Sequence, residues 1–291
     1  MPRLIVNADD FGLTSGVNRA ILDLHQAGVL PSATIMARAP ATDEAVEIAR
    51  ATPSLGVGCH IVLLDGDPMS TPAQIPSLAD PRTGRFPPTL STFLKRAFTG
   101  QISAQEIEME ARIQIQSLQS RGAALTHIDT HKHTHMFPRV LRPVLRAAHS
   151  CGIHAVRNPF EPTWSIEATP GAPFLRRTQV RLLRLLAASF HRIVAEEGFV
   201  TTSGALGVLA TGTLDTSTIN ALLQAIPQGR PSDIYELVTH PGYNDAALAA
   251  ANTRLLSARD TECAAIPILS NTPNLVLLNF TAIRPAPITS T

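Results

Sequence analysis

Short apolar runs that end abruptly in ionisable side chains, with helical periodicity between them, constrain this chain more than any other feature. Leu4-Ile5-Val6 leads straight into Asn7-Ala8-Asp9-Asp10-Phe11-Gly12. A buried parallel strand reads this way, continuously apolar and delivering polar groups at its C-terminal end. Residues 15–26 then place Val17, Ala20, Ile21 and Leu24 on one helical face, with Ser15 as the expected cap and Gly28 as the stop. The alternation continues with a strand at 34–36, a helix at 43–51 closed by Pro53, and a strand at 55–63 that contains His60. A helix at 103–121, opened by a Ser103/Glu106 capping box, precedes a strand at 125–129. Next come a helix at 139–151, a strand at 154–157, and a helix at 174–197 that is expected to be the longest. The chain closes with a strand at 199–202, a Gly/Thr-rich loop through Gly212, a helix capped by Asp215, a strand at 234–239 ending at His240, a helix at 246–264 and a strand at 275–278. Seven or eight strands alternating with helices predict a single α/β domain over 1–284, built as an incomplete βα barrel. Such a barrel carries its catalytic groups at the C-terminal strand ends, and Asp9, Asp10, His60, His131 and His240 all fall at or near such ends.

One segment interrupts this rhythm. Residues 65–100 hold Pro68, Pro72, Pro76, Pro81, Pro87 and Pro88 with Gly66, Gly84 and Gly100, and they read as a long loop of the kind that forms an active-site lid. The tail 285–291 reads as disordered.

The densest chemistry lies at His127-Ile128-Asp129-Thr130-His131-Lys132-His133-Thr134-His135, with ionisable side chains at every second position. In an extended strand all of these would point one way. Pro138 and the polarity of the run place the end of the strand near Asp129, so the alternation is expected to break around His131. Imidazole is a common ligand of catalytic divalent metals, which makes this stretch a candidate metal or acid–base site. Asp9 and Asp10 are adjacent, so a regular strand would send them to opposite faces and give them separate jobs. One can ligate a metal and the other accept a proton from water. His240, before Pro241-Gly242, is placed to protonate a leaving amine.

Composition narrows the function classes. The 291 residues are 44% hydrophobic with a formal net charge of +1, which supports a sizeable core and gives no support to nucleic-acid binding. Cys59, Cys151 and Cys263 are odd in number and widely spaced, so a reducing compartment is the expectation. The apolar run at the N-terminus is short for a signal peptide, and no stretch approaches the roughly 18 apolar residues of a membrane span. The expected location is cytoplasmic. Arg176, Arg177, Arg181, Arg184 and Arg192 make the 174–197 helix basic and amphipathic, a candidate for peripheral contact with the inner face of a membrane or for an oligomer contact. No P-loop, GxGxxG or GxSxG motif is present.

Together, the segments 7–12, Gly58-Cys59-His60, 126–138 and Thr239-His240-Pro241-Gly242 resemble the motifs of the YdjC-like carbohydrate deacetylases, also called the ChbG/HpnK family. The resemblance runs in order over about residues 3–265, and the form of 129–138 with 156–162 is closest to the hopanoid-biosynthesis branch. It implies a distorted TIM-like barrel, often a homodimer, that removes acetyl from an N-acetylated sugar with one divalent metal ion. Mg or Zn leads for that ion, and Mn or Co is also accommodated. In the hopanoid branch the implied substrate is N-acetylglucosaminyl bacteriohopanetetrol. By resemblance Asp10, His60 and His131 match the metal ligands, Asp9 the general base and His240 the general acid. Lys132 stands where relatives often carry histidine. Asp129, His133, His135 and Arg157 are candidates for substrate contact or for orienting ligands, Arg157 as a binder of a sugar hydroxyl or carbonyl oxygen, and His127 has no assigned role. The alternatives are the same chemistry on a soluble chito-oligosaccharide, a metal-dependent phosphoesterase, and a non-catalytic metal-binding scaffold.

Overall fold

Strand β1 (Arg3–Phe11) is the hub of a wholly parallel sheet. In this computed structural model residues 1–283 are described, except 228–232, 252 and 254. Along one edge β1 pairs with β8 (Ile234–Thr239) from Arg3 to Ala8. Its other edge is shared, with Arg3–Ile5 on β9 (Val276–Leu278) and Asn7–Phe11 on β2 (Ser32–Ile35). From β2 the sheet continues through β3 (Gly56–Ile61), β4 (Leu125–Thr130), β5 (Ala155–Val156) and β6 (Val200–Thr201), while β8 carries β7 (Gly204–Leu206) on its far side. The two ends of this path, β6 and β7, are separated in the chain by Thr202 and Ser203 alone. The sheet therefore curls until its ends meet, and one broken strand bridges β5 and β8 where a regular barrel would have two. This is the incomplete (β/α) barrel that the strand–helix alternation predicts.

The helices pack outside. They are α1 (Ser15–Gln26), α2 (Thr42–Ala51), α3 (Leu90–Phe98), α4 (Ala104–Ser120), α5 (Pro138–Ser150), α6 (Thr163–Ala168), α7 (Phe174–Leu183), α8 (Ala187–Glu196), α9 (Thr216–Ala225), α10 (Ala246–Ala250) and α11 (Leu256–Ala265). Several expectations are corrected. Thr14, not Ser15, caps α1, its hydroxyl accepting from Val17 N at 3.2 Å. The Ser103/Glu106 capping box does not form, because Glu106 reaches outward to accept from the backbone of Ser77 and Leu78. Glu110, one turn on, likewise accepts from Met69 and Ser70. The 65–100 segment is thus pinned to α4 by two carboxylates, and it carries a helix of its own, α3. The expected long helix is broken into α7, a 3-10 turn at Arg184–Leu186, and α8, which leaves α4 as the longest helix among the described residues. A further short strand, β7, lies in what reads as a Gly/Thr-rich loop. The tail from Pro285 lies outside the described residues.

Of the five arginines expected to make 174–197 basic, Arg176, Arg177 and Arg184 are turned inward, while Arg181 and Arg192 stay exposed beside Glu167 and Glu196. Arg177 donates to the carbonyls of Ala172, Ile166 and Thr169, Arg176 to Val208, and Arg184 to Glu161. α7 and the turn after it show a mostly apolar ridge to solvent, with Phe174 82%, Leu175 68%, Leu182 59% and Leu185 77% exposed, and Gln179 and the Glu167-paired Arg181 exposed beside it. At 100° per residue the four apolar residues fall within about one third of the helix circumference. No helix among the described residues is long and apolar enough to cross a membrane.

Below the C-terminal strand ends, His127 serves packing. Its ring stacks on Phe280 at 3.6 Å and 8°, and burial lowers its pKa to about 3. Gly58 on the neighbouring strand makes room for it, since a Cβ there would stand 2.6 Å from His127 Cε1 and Nε2. Overpacking of this kind costs about 1–3 kcal/mol. We expect Gly58→Ala to lower unfolding free energy by that amount in urea titrations, and a His127→Ala background to remove most of the loss.

Candidate metal centre

Strand β1 reaches the site by breaking its own regularity. Its register against β2 shifts between Ala8 and Phe11, and Asp10 sits at φ 62°, a left-handed conformation uncommon outside glycine. The kink lets two adjacent carboxylates reach one cluster, which a regular strand forbids. Asp10 Oδ1 lies 3.6 Å from His60 Nε2 and 3.7 Å from His131 Nδ1, and the two imidazole nitrogens are 3.4 Å apart. Three donors bound at about 2.0–2.2 Å in a tetrahedral arrangement stand about 3.4 Å from one another. The near-equilateral triangle of one carboxylate oxygen and two imidazole nitrogens therefore fits a single divalent ion.

His131 comes from the first residue after β4, where the chain stops alternating. Lys132 and His133 adopt left-handed φ of 54° and 52°, which turns the rest of the histidine run away from the strand direction. Lys132 pairs with Asp65 at 2.6 Å and ties this turn to the start of the 65–100 segment. His135 is buried between Thr130 Oγ1 at 2.7 Å and the Arg157 carbonyl at 3.1 Å, and burial lowers its pKa to about 4. His133 lies partly exposed outside the donor triangle, its Nδ1 without a partner and its pKa lowered by burial to about 3.

Beneath the triangle runs a buried ionic network. Asp129 Oδ1 holds His60 Nδ1 at 2.7 Å, which aims His60 Nε2 at the donor triangle. Burial opposes a charge on His60, but Asp129 overrides it and raises the pKa to about 9. Thr34 Oγ1 touches Asp9, Asp129 and His60 at 3.2–3.4 Å. Arg157, fully buried, is the common cation. It forks onto Asp9 at 2.8 and 2.5 Å, meets Asp129 at 2.5 Å and donates from Nε to Glu236 at 2.8 Å. The expectation that Arg157 contacts a sugar is therefore corrected, since its guanidinium is closed off by three carboxylates of its own chain. Burial pushes Asp9 up, yet Arg157 overrides it and holds the carboxyl well below the usual range. Asp9 Oδ2 in turn lies 3.8 Å from His240 Nε2, and burial lowers the pKa of that imidazole.

Sequence reasoning missed the opposite wall, formed by α11. Arg259 donates from Nη2 to Asp10 Oδ2 at 2.5 Å, and Glu262 accepts the backbone N–H of His240 at 2.5 Å. Burial raises Glu262 to about 8 and Glu236 to about 7. A lone acid within the apolar strand Ile234-Tyr235-Glu236-Leu237-Val238 was a readable signal, whereas Arg259 sits in an ordinary helical pattern. Removing a group that orients a metal ligand typically costs 10–100-fold in affinity. We expect Asp129→Asn to weaken Zn2+ binding by about that factor in calorimetric titration, with the far-UV spectrum unchanged.

Against known proteins, the chain is 32% identical over 253 residues to a carbohydrate deacetylase from Brevibacillus brevis, covering 86% of each chain. It is 35% identical over 201 residues to a chitooligosaccharide deacetylase from Salmonella typhimurium, covering 65% of this chain and 76% of that one. A crystal structure from Enterococcus faecalis, titled for cellobiose-phosphate cleavage, superposes with a TM-score of 0.74 at 24% identity over 96% of this chain and 98% of that one, which establishes the shared fold. The YdjC-like protein family matches residues 3–267, across β1 and every group of the cluster from Asp9 to Glu262, and the chain belongs to that family.

Proposed function

We propose that this chain is a divalent-metal-dependent N-deacetylase that removes acetyl from an N-acetylglucosamine unit carried on a lipid, N-acetylglucosaminyl bacteriohopanetetrol. The observation that carries the chemistry is the donor triangle of Asp10, His60 and His131 with Asp9 and His240 beside it. These three residues would hold the ion, and two imidazoles with one carboxylate suit zinc ahead of magnesium, manganese or cobalt. When bound, such an ion lowers the pKa of water and polarises the acetyl carbonyl.

The remaining steps belong to the chain's own residues. Asp9, fixed by the Arg157 fork, takes a proton from the water whose oxygen attacks the acetyl carbon. Arg157 makes Asp9 a poor resting place for that proton, and His240 Nε2 is 3.8 Å away to receive it and deliver it to the amide nitrogen. The C–N bond then breaks to give a free amine and acetic acid, which ionises to acetate. A two-metal phosphoesterase is disfavoured because the second group of potential ligands, Asp9, His60 and Asp129, is closed by Arg157.

Two observations bear on the substrate. The relatives named above act, by their names, on carbohydrates and chito-oligosaccharides, which supports the sugar and keeps a soluble oligosaccharide as the second reading. The apolar ridge Phe174, Leu175, Leu182 and Leu185 supports the lipid. Its helix is anchored through Arg184 to Glu161, after β5, and through Arg176 to Val208, after β7, at the barrel end where the metal centre opens. In this reading the 65–100 segment is the lid over the sugar, pinned along α4 and tied to the histidine turn by Asp65–Lys132.

Acetate release from the glycolipid in detergent, alongside diacetylchitobiose, before and after chelation and metal add-back, tests this. Release from the lipid alone, restored by metal, is the expected result, and release from the oligosaccharide instead would discard the lipid. Asp10→Ala and His131→Ala should lose metal and activity together. Asp9→Asn should retain metal and lose most turnover, and wild-type rates in that variant would remove Asp9 as the base. On vesicles of neutral and anionic lipid, Phe174→Ser/Leu185→Ser should abolish co-sedimentation of the protein, and equal binding by wild type and variant would detach the ridge from the lipid.

A further inference from the structure

Helix α11 puts Arg259 and Glu262 on one face, three residues apart, and that face closes the side of the metal centre opposite Asp129 and Arg157. Arg259 is completely buried, and its Nη2 donates to Oδ2 of Asp10 at 2.5 Å. The other oxygen of that carboxylate, Oδ1, is the one that faces His60 and His131. Asp10 is thereby divided, one oxygen for the guanidinium and one for the donor triangle.

The cost of placing Arg259 there indicates that the contact has a purpose. Its Nε and Nη1 are buried without a hydrogen-bond partner. A buried donor without a partner is destabilising, so an arginine selected for packing would be expected to have these groups matched or be replaced by an apolar residue. Space is also kept for it. A Cβ on Gly242 would stand 3.0 Å from Arg259 Cδ, so the glycine after His240-Pro241 gives clearance to the arginine stem. Glu262, from the same face, holds the backbone N–H of His240. One helix thus touches both the candidate ligand Asp10 and the candidate acid His240.

We propose that Arg259 is a positioning residue that keeps Asp10 a one-oxygen ligand, holding Oδ2 away from the metal and Oδ1 towards it. A free carboxylate beside a divalent ion can turn to chelate it with both oxygens, which fills a position that water or the substrate carbonyl would use. This rests on the assignment of Asp10 as a ligand.

Co2+ is the probe, because its visible absorption falls as its coordination number rises. Wild-type protein should take up one Co2+ per chain with an intense visible spectrum. Arg259→Met should bind Co2+ with a severalfold weaker band and lose kcat by about 10–100-fold, with KM little changed. Arg259→Lys, which keeps one charged donor, should restore most of the band and of kcat. Absence of Co2+ uptake by the wild type overturns the metal reading and this inference with it. Uptake with the same band in Arg259→Met overturns this inference alone. Should the Met variant not fold, the Zn2+-loaded wild type decides by 15N NMR of the guanidinium. A protected Arg259 Nη2 proton supports the contact with Asp10, and its loss on Zn2+ binding overturns it.

Discussion

Everything at the C-terminal end of this barrel depends on Arg157. Asp9, Asp129 and Glu236 come from three different strands, β1, β4 and β8, and all three are buried. A buried carboxylate without a partner would take up a proton. The guanidinium supplied after β5 makes ionisation of Asp9 and Asp129 tolerable, while burial raises Glu236 to about 7. Counting charges makes the design explicit. With the partly ionised Glu236 and Glu262 set aside, Asp9, Asp10 and Asp129 are held ionised against Arg157 and Arg259, and a proton on His60, raised to about 9, balances the remainder. In the proposed reaction, a divalent cation in place of that proton would shift the site by one positive charge, which would favour negative charge developing on an acetyl oxygen.

The architecture explains why these charges can be brought so close. Parallel strands with their C-terminal ends at one rim converge polar groups from distant sequence positions, and Asp9 and Arg157 are 148 residues apart. Regular strands alone would not suffice. Asp10 takes a left-handed conformation at the end of β1, as do Lys132 and His133 just after β4. Such conformations cost of order 1–3 kcal/mol each and persist where the surroundings over-determine them. Here Arg259 on Asp10 and Asp65 on Lys132 are part of those surroundings.

Apolar runs ending in charge made the barrel legible in the sequence, because a buried strand has to be apolar and its end has to be polar for the same reason in every unit. The strand at 234–239 and the helix capped by Asp215 lie where local pattern places them. Glu106 was misread because a capping box and a carboxylate reaching into a distant loop have the same local spacing, and only tertiary structure brings residues 77 and 78 within range. The burial of Arg157, a candidate in the sequence, and the role of Arg259 are not readable there for a related reason. An arginine at a strand end or on a helix normally faces water, and what buries these two is the set of carboxylates converging from elsewhere. The inward turn of the α7 arginines is likewise invisible to a helical wheel, since their partners are the carbonyls at the C-terminal end of α6, Ile166 and Thr169, and of Val208 after β7.

That inward turn changes the physics of any lipid contact. A helix that binds membranes through exposed arginines is driven by counter-charge and released by salt. On α7 and the turn after it, Arg176, Arg177 and Arg184 are spent on the protein's own carbonyls, and the outward groups are chiefly Phe174, Leu175, Leu182 and Leu185, with Gln179 and the Glu167-paired Arg181 beside them. Fully burying four such side chains is worth at most about 6–12 kcal/mol, before the costs of immobilising the protein are subtracted. The remainder falls in the range of a single acyl anchor, which gives weak and reversible adsorption. A chain of this kind would visit a lipid surface, act on a head-group sugar at the nearby strand ends and leave. Its attachment would depend on ionic strength less than that of an arginine-driven helix, since of the five arginines of 174–197 Arg181 and Arg192 alone stay exposed, each beside a glutamate.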